Sequence, residues 1–262
     1  MSTTQWHDLM PRVITGVVLI AIGAVVVSLG GAIFAIFSAI VAGVIVWELA
    51  RMIDPDSQSK ALQIGVVATI AILLARNVGD ALTLPLLSVP TIVGVIFYRQ
   101  KPWLFAAYAF GICLAGFALT YFRDVYGLIW VLVLIVIVVL TDIAGYFAGR
   151  LIGGPKFWPA ISPKKTWSGT VAGWICAAIV GLGFTIVTGA SGAVIVIAVL
   201  VSFSSQMGDI AESALKRHVG VKDSSNLLPG HGGLFDRFDG LLGALLFVMV
   251  VQLFSSDMAL AL

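Results

Sequence analysis

Charge is what this sequence has least of. Only 11% of its 262 residues are Asp, Glu, Lys or Arg, while 60% are hydrophobic. A water-facing surface needs roughly a quarter to a third of its residues charged, so a soluble globular protein is excluded. Cysteine is nearly absent as well. Cys113 and Cys176 sit in separate apolar runs, without CxxC spacing or a nearby His, which excludes a disulfide framework or thiolate metal site and leaves both as packing residues. No stretch is polar enough for a separate soluble domain, and no repeat or low-complexity segment stands out. No small-residue cleavage pattern follows the first apolar run, so no removable signal peptide is expected.

What is present is a succession of apolar runs, each near the roughly 20 residues that cross a bilayer as a helix. Polar and Gly/Pro punctuation divides them into nine spans: Arg12 to Leu29, Gly31 to Met52, Ala61 to Arg76, Ala81 to Tyr98, Trp103 to Phe122, Val125 to Gly149, Trp167 to Thr188, Gly192 to Lys216 and Leu234 to Ser255. The first two are separated only by Gly30-Gly31, and the fourth carries Pro85 and Pro90, which are expected to kink or shorten it. The fold class is therefore an all-α, polytopic integral membrane protein with about nine transmembrane helices. It forms a single domain over 1–262, with amino-terminal spans over about 12–122 and a carboxyl-terminal half over about 125–255.

Charge sign tests that count. With nine spans, thirteen of the fifteen lysines and arginines fall on the face of the amino terminus and the even-numbered loops, leaving only Arg76 and Arg123 opposite. Cations accumulate on the cytoplasmic side, so the amino terminus and the two longest loops are expected to be cytoplasmic.

Those loops and their flanking helix ends hold the chemistry. Span 8 carries Ser202, Ser205, Gln206, Asp209, Glu212, Ser213 and Lys216 at three- and four-residue intervals, which places them on one helical face. Carboxylates at membrane depth are costly without a cation, a metal or water. Asp209 has no cation one turn to either side and reads as a metal ligand. Glu212 reads equally as a ligand or as the i,i+4 ion-pair partner of Lys216. In span 6, Asp142 precedes Tyr146 and Arg150 at i+4 and i+8, and is either a structural partner of Arg150 or a substrate-site residue.

After span 8 the cations Lys216, Arg217 and Lys222 lead through Asp223 to Pro229-Gly230-His231-Gly232-Gly233, then to Asp236, Arg237 and Asp239. Bunched cations suit oligophosphate, and glycines let backbone amides approach it closely. Asp236 and Asp239, at i and i+3, are placed for one metal cluster or for capping a helix start. His231 is assigned phosphate contact, since no neighbouring His or Cys supports zinc. The other loop offers Ser162, Lys164, Lys165 and Thr166 just before span 7, where free helix amides also favour anions; both lysines read nearly as well as interface anchors. Glu48 and Arg51, at i and i+3, are expected to pair, with no role in the site.

The run Ser213-x-x-Lys216-Arg217, then Lys222-Asp223, Leu228-Pro229-Gly230-His231-Gly232-Gly233 and Asp236-Arg237-x-Asp239 closely resembles the signature of the phosphatidate cytidylyltransferase (CDP-diacylglycerol synthase) family. The likeness extends to Gly208-Asp209, Thr141-Asp142 and Ser162-Pro163-Lys164-Lys165-Thr166, so it covers the carboxyl-terminal half. It departs at Ser168, where the family pattern carries Glu, and at Gly240, where Ser is common. The resemblance implies CTP and phosphatidate as substrates, and CDP-diacylglycerol and pyrophosphate as products. It also implies Mg2+ with room for a second metal ion, a homodimer, a place in the inner (cytoplasmic) membrane and no nucleic-acid partner. On that basis Asp209, Asp236, Lys216 and Arg217 are the expected catalytic residues. Asp209, Asp236, Asp223, Asp239 and Glu212 are the expected metal ligands. Asp142, Ser162, Lys164, Lys165, Thr166, Ser213, Lys222, His231, Gly232, Gly233 and Arg237 are expected to meet substrate.

The competing class is a transporter whose buried acids line a cation path. It accounts for Asp142, Asp209 and Glu212 but not for the glycine- and lysine-rich loop. A CDP-alcohol phosphotransferase would need an Asp-x-x-Asp-Gly-x-x-Ala-Arg run, and Asp236 to Gly240 is followed instead by Leu241-Leu242-Gly243.

Overall fold

The computed structural model describes residues 4–254, with side chains over 13–252; Ser255 and the Arg12 side chain therefore lie outside the described residues. Nine helices form among these residues: α1 (Thr4–Leu29), α2 (Gly31–Ile53), α3 (Gln58–Ala75), α4 (Asp80–Phe97), α5 (Pro102–Val125), α6 (Leu128–Leu151), α7 (Trp167–Thr188), α8 (Ala193–Val219) and α9 (Phe235–Phe254). They match the nine expected spans in order. Seven of them, α2 to α8, are long and apolar enough to cross a bilayer. The apolar part of α1, Val13–Leu29, is shorter, and α9 opens on Asp236, Arg237 and Asp239.

Three details differ from expectation. The loop before α7 is not irregular: β1 (Lys156–Trp158) and β2 (Ser162–Thr166) pair antiparallel in a small hairpin. The helix α4 is not shortened, since it runs through both Pro85 and Pro90; each proline forfeits one backbone donor, a loss a packed membrane helix tolerates. The break between the fifth and sixth spans falls later, at Gly127 with φ 86°. Arg123 and Asp124 stay helical because each is tied across: Arg123 Nε donates to the Val27 carbonyl at 3.0 Å and Arg76 Nε to Asp124 at 2.8 Å.

The chain divides into two compact units, one running to Leu128 and including Val219–Phe238, the other comprising Ile129–His218 and the chain from Asp239 onward. In the first unit α2 packs on α3 and α5, and α4 on the same two helices. Its core is Phe34, Ile45, Leu49, Ile64, Ile72 and Phe105, all nearly inaccessible. Close approach rests on small residues: a Cβ on Gly43 would meet the Gly65 carbonyl at 2.6 Å, and one on Gly116 would meet Ala42 at the same distance. Lipid supplies no hydrophobic drive between helices, so this tight backbone contact carries the association.

The second unit uses the same device. Cβ atoms added to Gly169 or Gly173 would run into Gly145 and Thr141 of α6, and one on Gly208 would strike the Asp239 carbonyl and Gly243. Polar links accompany these crossings. Thr141 Oγ1 donates to Ser202 Oγ at 2.8 Å, Trp174 Nε1 donates to Gln206 Oε1 at 3.1 Å, and Gln206 Nε2 donates to the Thr170 carbonyl at 3.2 Å. Three of the seven polar residues in the α8 stripe thus serve packing: Ser202, Ser205 and Gln206 are buried. Cys113 and Cys176 are free thiols.

Candidate active site

In the second unit, the hairpin and helices α6, α8 and α9 gather charge. Side chains alternate across a strand, so Lys164 is exposed while Lys165 turns inward. Lys165 Nζ meets Asp209 Oδ2 at 2.6 Å and donates to the Gln206 carbonyl at 3.2 Å. Asp209 is therefore not without a cation: its partner arrives from another element, which spacing along α8 cannot reveal. Ser213, one turn on, donates to Asp209 Oδ1 at 3.3 Å.

Two more carboxylates stand within electrostatic reach of Asp209: Asp142 from α6 and Asp239 from α9. Asp142 faces Lys165 and Asp209. Arg150 takes no part with it and instead donates to the Tyr146 hydroxyl at 2.8 Å. Asp239 sits beside Asp209 because Gly208 and Gly243 let α8 and α9 meet backbone to backbone. Glu212, 1% exposed, is held by Lys216, so the ion-pair reading accounts for it without a metal. Arg217 is exposed at the end of α8.

Do these residues suit a magnesium ion? Among the described residues no three His, Cys, Asp or Glu are grouped closely enough to cage a metal. Mg2+ is ordinarily held by one or two carboxylates with water and substrate phosphates completing the shell. Asp209 with Asp239 supplies that partial set of hard oxygen donors, so the chemistry fits.

Thr166 and Ser168 belong to the scaffold. Thr166 is the N-cap of α7, accepting from Gly169 N at 3.2 Å, and Ser168 donates to the Gly153 carbonyl. The Ser at the position of a family Glu therefore fastens the loop. Gly240 also has a neighbour: a Cβ there would lie 2.8 Å from the hydroxyl oxygen of buried Ser205.

In the first unit, residues 219–238 form a compact loop. Leu228-Pro229-Gly230-His231 is a type II turn: Pro229 presets its first corner, Gly230 takes φ 75°, and His231 N donates to the Leu228 carbonyl at 2.9 Å. Leu228 N closes the strand-like pair on the Gly232 carbonyl at 2.8 Å. Arg237 clamps the turn with Nε and Nη2, 3.1 and 2.9 Å from the His231 carbonyl. A cavity of about 350 Å³ opens here, lined by Lys222, Asp223, Asn226, His231, Gly232 and Arg237 among others. The buried Nδ1 of His231 has no hydrogen-bond partner among the described residues.

The loop's own amides are largely committed. Gly233 N donates to Asp236 Oδ2 at 2.8 Å, as do Ser224 N and Ser224 Oγ at 2.9 Å each. Asp236 therefore acts as a staple and helix cap in this loop. Gly233 is needed for space, since a Cβ would collide with Ser224 Oγ and Glu48. Gly233 thus serves packing and its amide is committed to Asp236, while Gly230 and Gly232 line the cavity together with the side chains.

The residue that sequence reasoning missed is Glu48. It does not pair with Arg51, whose guanidinium lies over the Trp47 ring at 5.2 Å. Glu48 is wholly buried and accepts from Ser225 Oγ at 2.6 Å, Phe235 N at 2.7 Å, Leu234 N at 2.9 Å and Ser224 Oγ at 3.2 Å. The signal available was a lone acid inside the apolar run of α2, and a neighbouring Arg explained it too easily.

The chain is similar to known proteins over most of its length. A model of the cytidylyltransferase family matches residues 10–254. The phosphatidate cytidylyltransferase of Brucella suis biovar 1 is 36% identical over 250 residues, covering 90% of each chain. That of Staphylococcus saprophyticus is 33% identical over 261 residues, covering 92% of this chain and 99% of the relative.

Proposed function

The chain belongs to the cytidylyltransferase family, and we propose that it transfers the cytidylyl group of CTP to phosphatidate, forming CDP-diacylglycerol and releasing pyrophosphate. The observation that carries this reading is the loop cavity, where Lys222, His231 and Arg237 line one space. Lysine, arginine and imidazole in one pocket are what a phosphate chain needs.

In the reaction an oxygen of the lipid phosphate bonds to the α-phosphorus of CTP as the bond from that phosphorus to the β-phosphate bridge breaks. The nucleophile is already ionised, so no strong general base is needed; the task is to neutralise charge and align the reacting atoms. Lys222, His231 and Arg237 would bind phosphate oxygens, and the turn and the Glu48 contacts hold those side chains in place. Lys165, Lys216 and Arg217 would offset charge in the second unit, with Lys165 also fixing the rotamer of Asp209. Asp209 and Asp239 would hold a magnesium ion, which when bound supplies charge neutralisation at phosphate oxygens. Asp223, exposed in the loop cavity, would be an additional carboxylate for a second ion. The protein would act as a homodimer in the inner membrane; the gathering of thirteen of fifteen basic residues on one face of a nine-span chain supports a cytoplasmic amino terminus and cytoplasmic loops.

The test is pyrophosphate release by purified protein in detergent, with labelled CTP, phosphatidate and magnesium. Release that needs both substrates, yields labelled CDP-diacylglycerol and stops on chelation of the metal supports the reading. CDP as the nucleotide product would make the protein a lipid kinase instead.

A further inference from the structure

A second cavity, of about 340 Å³, opens in the first unit where α2 ends, α3 begins and α4 turns into α5. It is lined by none of the residues assigned to the reaction; Asp54, Lys60, Ile96, Tyr98 and Arg99 are among its walls. Tyr98 is 2% exposed, its ring stacked on Phe105 with centroids 4.9 Å apart, and its hydroxyl has no hydrogen-bond partner among the described residues. A phenol at neutral pH is a donor, and a buried donor without an acceptor is a cost that an arriving acceptor would remove.

The charged groups point the same way. Lys60 and Arg99 are exposed on the cavity, and neither forms an ion pair among the described residues. Asp54 is occupied by the Ser57 hydroxyl at 2.6 Å. Two cations against one carboxylate leave a single positive charge. That balance suits a phosphodiester, with one negative charge, better than a nucleoside triphosphate. The setting adds an apolar requirement: the cavity lies at the ends of membrane-length helices, Ile96 forms an exposed wall, and Trp103, 84% exposed, begins the next helix. Exposed Trp beside Lys and Arg at a helix end is the composition of a bilayer interface.

We propose that this cavity binds the phosphodiester headgroup of an anionic phospholipid, with Lys60 and Arg99 on the phosphate, the Tyr98 hydroxyl donating to one of its oxygens, and an acyl chain against Ile96. The site is separate from the reaction, and its occupant stabilises the first unit by binding the folded state.

Native mass spectrometry of the full-length protein in neutral detergent tests this, with short-chain phosphatidylglycerol, short-chain phosphatidylcholine and inorganic phosphate as probes. Wild type is expected to bind one phosphatidylglycerol at least tenfold more tightly than phosphatidylcholine. The Lys60→Ala/Arg99→Ala variant is expected to lose that tenfold preference. Tyr98→Phe keeps the ring stack and is expected to weaken phosphatidylglycerol threefold or more. Pyrophosphate release at saturating substrate stays within twofold of wild type in all variants. Equal phosphatidylglycerol binding by wild type and the double variant overturns the site, as does equal binding of the two lipids. Inorganic phosphate binding as tightly as phosphatidylglycerol, with the same loss in the double variant, overturns the lipid as ligand in favour of a soluble phosphate.

Discussion

Glu48, in the second helix, accepts the backbone amide of Phe235 at 2.7 Å across 187 positions of sequence. Phe235 opens α9, and the first amides of a helix have no partner within it. Glu48 therefore caps a helix to which it does not belong, and its charge lies at the favourable end of that helix's dipole. Replacing it with Ala would take the acceptor from the Leu234 and Phe235 amides and the Ser225 hydroxyl, while Ser224 keeps Asp236; a buried donor left unpaired costs about 1–3 kcal/mol. Glu48→Ala is expected to lower the thermal midpoint by about 10 °C and to reduce pyrophosphate release at least tenfold through disorder of the 219–238 loop. Thermal denaturation and turnover measured together check this; an unchanged midpoint would remove the capping role.

Lys164 and Lys165 are adjacent in sequence and opposite in the strand. Lys165→Ala frees Asp209 from the contact that fixes it, and a loss of about two to three orders of magnitude in turnover is expected, which corresponds to about 3–4 kcal/mol of transition-state stabilisation. Lys164→Ala is expected to change turnover less than threefold. Equal losses in the two variants would contradict the division of faces.

Gly208 sets the separation of α8 and α9. Gly208→Ala forces a methyl group against the Asp239 carbonyl and Gly243, and such overpacking costs about 1–3 kcal/mol. The expected result is a lower midpoint with a steeper dependence of activity on magnesium concentration, because Asp239 shifts relative to Asp209. Gly183→Ala is the control: nothing lies within 4 Å of its Cβ position in α7, so it is expected to be neutral or slightly stabilising.

The turn that presents His231 depends on Gly230 at φ 75°. An alanine in that left-handed conformation costs about 1–2 kcal/mol. Gly230→Ala is expected to raise the KM for CTP severalfold while lowering the midpoint by no more than about 8 °C. A change in kcat alone would point away from a nucleotide-binding role for the turn.

Much of this protein is legible in its sequence because bilayer physics is severe. A helix must cover the hydrocarbon with apolar residues, so each span announces itself, and glycine-proline punctuation marks the ends. The boundary near Arg123 was misplaced because a charged residue normally ends a span; here Arg123 and Asp124 are satisfied by contacts with Val27 and Arg76, distant in sequence. The hairpin before α7 was invisible since five residues of strand show no periodicity against a polar loop.

The sequence by itself determined the helices, their order, the family and the residue types of the site, since these depend on local composition and on spacing within one element. Only the tertiary structure decided which charges meet. Asp209 found Lys165 on a hairpin, Asp239 came beside Asp209 through a glycine contact, and Asp236 closed a loop against Ser224. Glu48, expected to pair with Arg51, is instead the cap of α9. A side chain's partner is chosen by the crossing of whole helices, and spacing within one helix carries no information about what crosses it.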